Sequence, residues 1–268
     1  MQAIIQINRF ELAELSKLTE ALSQNDIAFR WATSEDLFDP TKIVRGIIPN
    51  GLIFCSVDNY ITWRESNRQF KAMSNYFWNG GIFDRQFVNK LLSNSQIHCV
   101  NNDGVLVESM ALLNHTNGET VCFTNSPTKT AFTGGVKVTS SLIKSVNIPS
   151  ELHRSKFWVV PKRIIEDEAR FFVVNHEVVD GSYYRYLGNF IGTANFVSGK
   201  KVDLFARTAA KQVVRALKEI APPNYVVDVA RLKGETTWRF LETNALPCSA
   251  FYDCDYVKVI NKLKEWAT

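Results

Sequence analysis

The run Tyr225-Val226-Val227-Asp228-Val229-Ala230-Arg231 constrains this chain more than any other stretch. Its β-branched and aromatic residues have the composition of a buried strand, yet Asp228 stands in the middle of it. An ionised carboxylate in apolar surroundings costs on the order of several kcal/mol unless it is paired or binds a metal. Any fold of this chain must therefore bring a positive partner to Asp228. Lys233-Gly234-Glu235 has turn chemistry, and Thr237-Trp238-Arg239-Phe240-Leu241-Glu242-Thr243-Asn244 reads as a second strand. The two runs are predicted to pair as a hairpin that carries Asp228 and Glu242 onto one surface. Glu242 and Asn244 are two apart and share a face. Two carboxylates and an amide oxygen form a hard donor set of the kind Mg²⁺ takes, with phosphate and water completing its octahedron. A surface hairpin with ordinary charges is the plainer reading of the same residues.

With 268 residues, 46% hydrophobic and 22% charged, the chain has the make-up of a soluble globular protein and the length for two compact lobes or one large domain. The formal net charge of +4 carries no nucleic-acid footprint. The five cysteines, Cys55, Cys99, Cys122, Cys248 and Cys254, are scattered, odd in number and lack a Cys-x-x-Cys pair. That pattern argues against a zinc site or a disulfide framework and fits a reducing compartment. Cys248 and Cys254 lie just beyond the acidic cluster, but without an evident His partner they read as buried or incidental. Met1-Gln2-Ala3-Ile4-Ile5 does not open a signal peptide, and there is no run of about 18 apolar residues to span a membrane. A cytoplasmic location is the expectation.

Residues 3–7 read as a strand, residues 10–23 as an amphipathic helix carrying Leu12, Leu15, Leu18 and Leu22, and Ile27-Ala28-Phe29-Arg30-Trp31 as the next strand. A strand, helix, strand unit builds an open α/β sheet, and residues 51–57 supply another strand. Tyr76, Phe77, Trp78, Phe83 and Phe87 could stack a base or pack between lobes. No Gly-x-Gly-x-x-Gly and no Gly-Lys-Ser/Thr occurs in this half, which excludes a Rossmann turn or a P-loop there. The polar stretch Asn101-Asn102-Asp103-Gly104 marks a boundary, and residues 109–113 suggest a short helix. Further strands are predicted at 120–123, 136–139 and 157–162, and a hairpin at 167–174 and 177–185 turning at Asn175-His176. Glu168 and Arg170 share a strand face there, where an ion pair across strands would be unremarkable. From 202 to 220 Leu204, Phe205, Ala209, Val213, Val214 and Leu217 follow helical spacing until Pro222-Pro223 stops the helix. A closing helix over 256–266 turns Val259, Ile260 and Leu263 inward.

Asp-Val-Ala, a short turn, then Phe-Leu-Glu-Thr-Asn-Ala resembles the metal-binding end of the ATP-grasp ligases, whose last core strand carries Glu-x-Asn. Lys129-Thr130-Ala131-Phe132-Thr133-Gly134 is similar to the second half of that family's phosphate-covering loop, in which paired glycines let the backbone approach phosphate. The first half departs from the pattern. Phe123-Thr124-Asn125-Ser126 stands in the place of Phe-Val-Lys-Pro, and Asn125 offers a neutral amide where a lysine is expected. Either Lys129 or Lys137 compensates, or nucleotide affinity and activity fall. Phe157-Trp158-Val159-Val160-Pro161-Lys162 resembles the strand that ends in the adenine-binding hinge, although a core strand stopped by Pro161 has the same sequence. Glu168-Ala169-Arg170-Phe171-Phe172-Val173-Val174, followed by Gly181-Ser182-Tyr183-Tyr184, resembles the hairpin whose arginine meets phosphate or acyl phosphate.

The resemblance implies an α/β chain with a small domain at 1–100 and an ATP-grasp domain at 101–268, whose central lobe covers about 101–160 and C-terminal lobe about 161–268. It implies ATP held by Asn125, Lys129, Thr133, Gly134, Val159, Val160, Pro161, Lys162 and Glu168, and Mg²⁺ on Asp228, Glu242 and Asn244. Arg170 is the first choice for the phosphoryl-stabilising cation and Arg185 the second. The implied reaction activates a carboxylate as an acyl phosphate for attack by an amine or thiol. Its partners would be small-molecule or peptide carboxylates and amines, with neither membrane nor nucleic acid, and a homo-oligomer stays open. A kinase that stops after phosphoryl transfer, or a nucleotide-binding protein without turnover, fits the same motifs. His98, His115, His153 and His176 fall outside all of them.

Overall fold

A computed structural model describes residues 1–7, 9–38, 51–56, 85–108, 114, 119–124, 136–137, 139, 156–190 and 201–267. The glycine loop at 125–135, the helix expected at 109–113 and the aromatic residues Tyr76, Phe77, Trp78 and Phe83 lie outside them. At the N-terminus, β1 (Gln2–Gln6) is flanked in parallel by β2 (Ala28–Ala32) and β3 (Leu52–Phe54). Helix α1 (Leu12–Gln24) makes the crossover and buries Leu18, Ala21 and Leu22. Leu12, expected on that stripe, is 86% exposed. A short α2 (Ser34–Phe38) follows β2.

The central lobe is an antiparallel sheet of order β4-β7-β5-β6, with β4 at Val105–Glu108, β5 at Thr120–Thr124, β6 at Val136–Lys137 and β7 at Lys156–Pro161. Its interior position explains why Phe157, Trp158, Val159 and Val160 are all buried: a strand covered on both faces reads as a continuous apolar run. A Cβ on Gly104 would come within 2.4 Å of the Trp158 indole, so only glycine lets the chain enter β4 against that ring.

The third sheet runs β10-β9-β8-β11-β12, antiparallel throughout, with β8 at Ile165–Val174, β9 at Glu177–Tyr186, β10 at Asn189–Phe190, β11 at Tyr225–Leu232 and β12 at Trp238–Asn244. Asn175 and His176, with φ of 52° and 59°, make the two-residue left-handed turn that matches strand twist. Gly234, at φ +81°, supplies the positive φ of the second hairpin.

Both faces of this sheet are covered. On one, Phe171, Val173, Tyr225, Val227 and Val229 pack with Val88 and Leu92 of α3 (Arg85–Asn94) and with α4 (Leu204–Leu217). Helix α4 buries Ala206, Ala210, Val213, Val214 and Leu217, whereas Leu204 and Phe205 are 73% and 72% exposed. The apolar stripe therefore begins at Ala206, and Leu204 lies about 200° around the helix from it. Asp203 caps this helix by accepting the Phe205 N–H at 2.6 Å.

On the opposite face Phe172, Val174 and Val226 meet Ile5, Leu18, Leu22 and Phe54 of the N-terminal unit, together with Val259, Ile260 and Leu263 of α5 (Tyr256–Ala267). The N-terminal sheet and the C-terminal sheet thus share one core. Phe251 stands at its centre, 1% exposed, stacked on Phe172 at 4.3 Å and on Tyr256 at 4.5 Å between ring centroids. Phe251→Ala is expected to cost about 3–5 kcal/mol in a urea titration. A loss below about 1 kcal/mol would mean that this core does not hold the two units together.

Candidate active site

Strand register builds the site. Asp228 lies opposite Arg170 on one side and Glu242 on the other, while Arg170 lies opposite Ser182. Four neighbouring strands, β9, β8, β11 and β12, thereby place Ser182, Arg170, Asp228 and Glu242 in one row. Asp228 has no exposed surface and is gripped by both arms of Arg170: Nε donates to Oδ1 at 2.9 Å and Nη2 to Oδ2 at 2.8 Å. Burial alone would lower the pKa of Arg170, but the Asp228 carboxylate outweighs it and holds the guanidinium well above its ordinary value. The partner demanded by the buried carboxylate is a fork-shaped bidentate one.

The Asn244 Nδ2 donates to Asp228 Oδ2 at 2.9 Å and to Glu242 Oε1 at 3.1 Å. A register shift between Asp228 and Val229 sets Asn244 opposite Val226, close enough to span both carboxylates. The three oxygen-bearing side chains expected as metal ligands are therefore brought together. The point where both carboxylates converge is held by N–H hydrogens, a partial positive charge, so the donor set fits a hard cation. Among the described residues no group of three His, Cys, Asp or Glu could hold a metal, and this site offers two acids and an amide.

Glu168 and Arg170, two apart on β8, point to one face but pair in opposite directions. Arg170 reaches β11, whereas Glu168 accepts from Arg185 Nε of β9 at 3.0 Å. Burial pushes the Glu168 carboxyl up, Arg185 opposes this, and the nearby Asp228 and Glu242 charges raise it further. Three carboxylates thus face two guanidinium groups on one surface, and a bound cation would relieve their mutual repulsion.

Two residues at the site were not singled out from sequence. Tyr184 and Tyr252 stack at 5.4 Å with 15° between planes, and the Arg170 guanidinium carbon lies 5.3 Å from each ring centroid. Burial raises the pKa of both phenols, which leaves them neutral faces for the cation. The Tyr-Tyr pair on β9 was a signal, but a bulge between Glu168 and Ala169 decides that Tyr184 looks this way. Tyr252 had no local signal.

The hinge residues are placed as follows. Val159 and Val160 are buried, and Pro161 and Lys162 are exposed where β7 leaves its sheet for β8. Pairing with β4 runs from Glu108↔Lys156 to Val105↔Val159 and stops before Val160, while the Lys162 N–H donates to Glu119 O at 2.6 Å. Asn125, Lys129, Thr133 and Gly134 lie outside the described residues. Lys137 is exposed on β6. His176 occupies the β8–β9 turn and the His98 carbonyl pairs with Phe240, both off the row, and His115 and His153 are outside the described residues. All five cysteines are buried, and burial pushes the Cys55 thiol well up and those of Cys99 and Cys122 to about 11, which suits packing rather than nucleophilic attack.

The model of an ATP-grasp domain, the third family of its clade, matches residues 80–263. The chain belongs to the ATP-grasp family. Its fold is also that of solved ATP-grasp structures. D-alanine–D-alanine ligase from Bacillus anthracis aligns with a TM-score of 0.58 at 14% identity, covering 100% of this chain and 97% of that one. Macrocyclase MdnC from Microcystis aeruginosa MRC, bound with precursor peptide MdnA, gives 0.55 at 10% identity over 98% of each chain. ATP-grasp ligase PsnB, complexed with precursor peptide PsnA2 and AMPPNP, gives 0.53 at 12% identity, covering 100% of this chain and 97% of that one. A search of curated proteins gave no match. Among the described residues of this ATP-grasp chain no helix is long and apolar enough to cross a membrane.

Removing one partner of the Arg170–Asp228 pair strands a buried charge. Arg170→Met is expected to destabilise the protein by about 3–5 kcal/mol, and Arg170→Met with Asp228→Leu to recover most of that loss. Denaturant titration of the two variants checks this; a double variant as unstable as the single one would contradict it.

Proposed function

We propose that this ATP-grasp protein is an ATP- and Mg²⁺-dependent ligase that activates a carboxylate as an acyl phosphate and passes the acyl group to an amine. The observation that carries the reading is the convergence of Asp228, Glu242 and Asn244 beside a buried, aromatic-flanked Arg170. Mg²⁺ would be held by Asp228, Glu242 and Asn244, and it would supply charge neutralisation on the ATP phosphates. Val160, Pro161 and Lys162, beyond the β4 pairing, offer backbone groups for adenine.

Arg170, with Arg185 beside it, stabilises negative charge on the transferred phosphoryl group. A carboxylate oxygen of the substrate attacks the γ-phosphorus and ADP leaves; the amine then attacks the acyl carbon, loses a proton, and inorganic phosphate leaves. Both rings over Arg170 keep its orientation while Asp228 shares its charge, so the cation is aimed before substrate arrives. Because MdnC and PsnB are bound with precursor peptides, a peptide carboxylate or amine is the first substrate class to test. The site needs only soluble substrates, in keeping with a cytoplasmic enzyme.

A second reading, nucleotide binding without turnover, rests on Asn125 standing where the family pattern has lysine. Isothermal titration with ATP, followed by ADP release against a panel of carboxylic acids, peptides and amines, separates the readings. The ligase reading expects ADP release that requires both an acid and an amine. Binding without ADP across the panel would favour the second reading, and ADP with a stable phosphorylated acid would indicate a kinase. Glu242→Gln and Asp228→Asn should each reduce ATP affinity in Mg²⁺ to the level measured in EDTA. Metal-dependent binding that survives both substitutions would overturn the ligand assignment.

A further inference from the structure

The segment from Ala245 to Asp255, directly after Glu242-x-Asn244, is fastened on two sides. The C-terminal sheet holds it through Arg170 Nη1 to Ala250 O at 3.4 Å, Ser182 Oγ to Phe251 O at 3.3 Å, and Asp180 Oδ2, which accepts the Asp255 N–H at 2.8 Å. The N-terminal unit holds it from the other side. The Cys55 N–H donates to Pro247 O at 3.1 Å, and Arg9 Nη2 donates to Cys248 O at 2.8 Å. The third tie comes from Glu14 of α1, whose carboxylate accepts the backbone N–H groups of Phe251 and Tyr252.

Glu14 is an unusual choice for a helix side chain. It is 7% exposed, and its Oε1 has no hydrogen-bond partner. Burial and the neighbouring Glu11 raise its pKa, while the Phe251 N–H, Arg9 and the Tyr252 N–H pull it down. A buried carboxylate is costly unless its contacts serve something. What it holds is a strained point: Tyr252 has φ +54°, a left-handed conformation that non-glycine residues adopt at a cost of roughly 1–2 kcal/mol. That conformation presents the Tyr252 ring to Tyr184 and to the Arg170 guanidinium.

We propose that Glu14 is a positioning residue for Arg170: by holding the Phe251 and Tyr252 N–H groups it fixes the Tyr252 ring against the guanidinium, so that the N-terminal unit sets the aim of the phosphate-facing cation. The role of Arg170 toward phosphate rests on the function proposed above; its placement by Tyr252 does not. A purely structural Glu14 would change stability and leave the surroundings of Arg170 untouched.

Two readouts test this. In nucleotide-free protein, the Arg170 Nε–H resonance, assigned by its loss in Arg170→Lys, is displaced by the two rings. Glu14→Ala should return it toward the position seen in Tyr252→Ala, and Glu14→Gln, which keeps an acceptor oxygen, should leave it closer to wild type. An Arg170 signal unmoved in Glu14→Ala but moved in Tyr252→Ala overturns the inference. In the second readout, Glu14→Ala and Tyr252→Ala should each weaken Mg-ATP binding by about tenfold, and combining them should weaken it no further than Tyr252→Ala alone. Losses that multiply in the double variant would overturn it. If Glu14→Ala fails to fold, a Glu14→Gln signal identical to wild type, alongside a normal unfolding midpoint and a moved Tyr252→Ala signal, counts against it, and an intermediate displacement supports it. If the wild type binds no Mg-ATP, the proposed function fails, and the nucleotide-free resonance still decides the role of Glu14.

Discussion

The Arg170–Asp228 pair is the interaction on which the rest of the structure depends. It joins the two central strands of the five-stranded sheet, β8 and β11, where both faces are covered and water cannot solvate either charge. Two partners in a bidentate geometry offset most of the cost of taking each other out of water. The Asn244 amide and two phenol rings complete the set. A buried pair of this kind is a poor route to stability, since apolar residues would pack as well. Its value is chemical: a cation and a carboxylate kept side by side, in fixed register, at the edge of a site that handles phosphate and metal.

The surrounding architecture maintains that register. Residues of one parity on β8 and β11 pack under α3 and α4, and those of the other parity pack against the N-terminal sheet and α5. A slip by one residue would send the charged row into an apolar core. The segment after β12 then closes the site from above, fixed by donors and acceptors from both the N-terminal unit and β8–β9. The N-terminal strands and α1 are therefore part of the site's frame, because one core runs beneath both units and Glu14, Arg9 and Cys55 all reach the same segment.

Local patterns made some of this legible in the sequence. The Asp228–Glu242 pairing followed from an apolar run, a Gly-containing turn and a period of two, and the structure opposes these two residues. The β8–β9 hairpin and α5 were readable for the same reason. Arg170 as the partner of Asp228 was not, because the two are 58 residues apart and only strand order unites them. Strand parity placed Glu168 and Arg170 on one face but could not show that they reach opposite neighbours. Bulges at Glu168/Ala169 and Asp228/Val229 shift the register that fixes Tyr184 and Asn244. Helix α3 was hidden in an aromatic-rich stretch: Phe87 faces outward at 49% exposure while Val88 and Leu92 carry the packing. Tyr252 reaches Arg170 through a positive φ that no propensity announces.

The central claim is that the amide-bridged carboxylates are the metal half of a nucleotide site. Anomalous diffraction from crystals grown with Mn²⁺ and a non-hydrolysable ATP analogue tests it most directly. The account predicts a metal peak about 2.0–2.3 Å from oxygens of Asp228, Glu242 and Asn244, with the terminal phosphate turned toward Arg170. Bound nucleotide with its metal on other side chains, and the Asn244 amide still bridging Asp228 and Glu242, would contradict it.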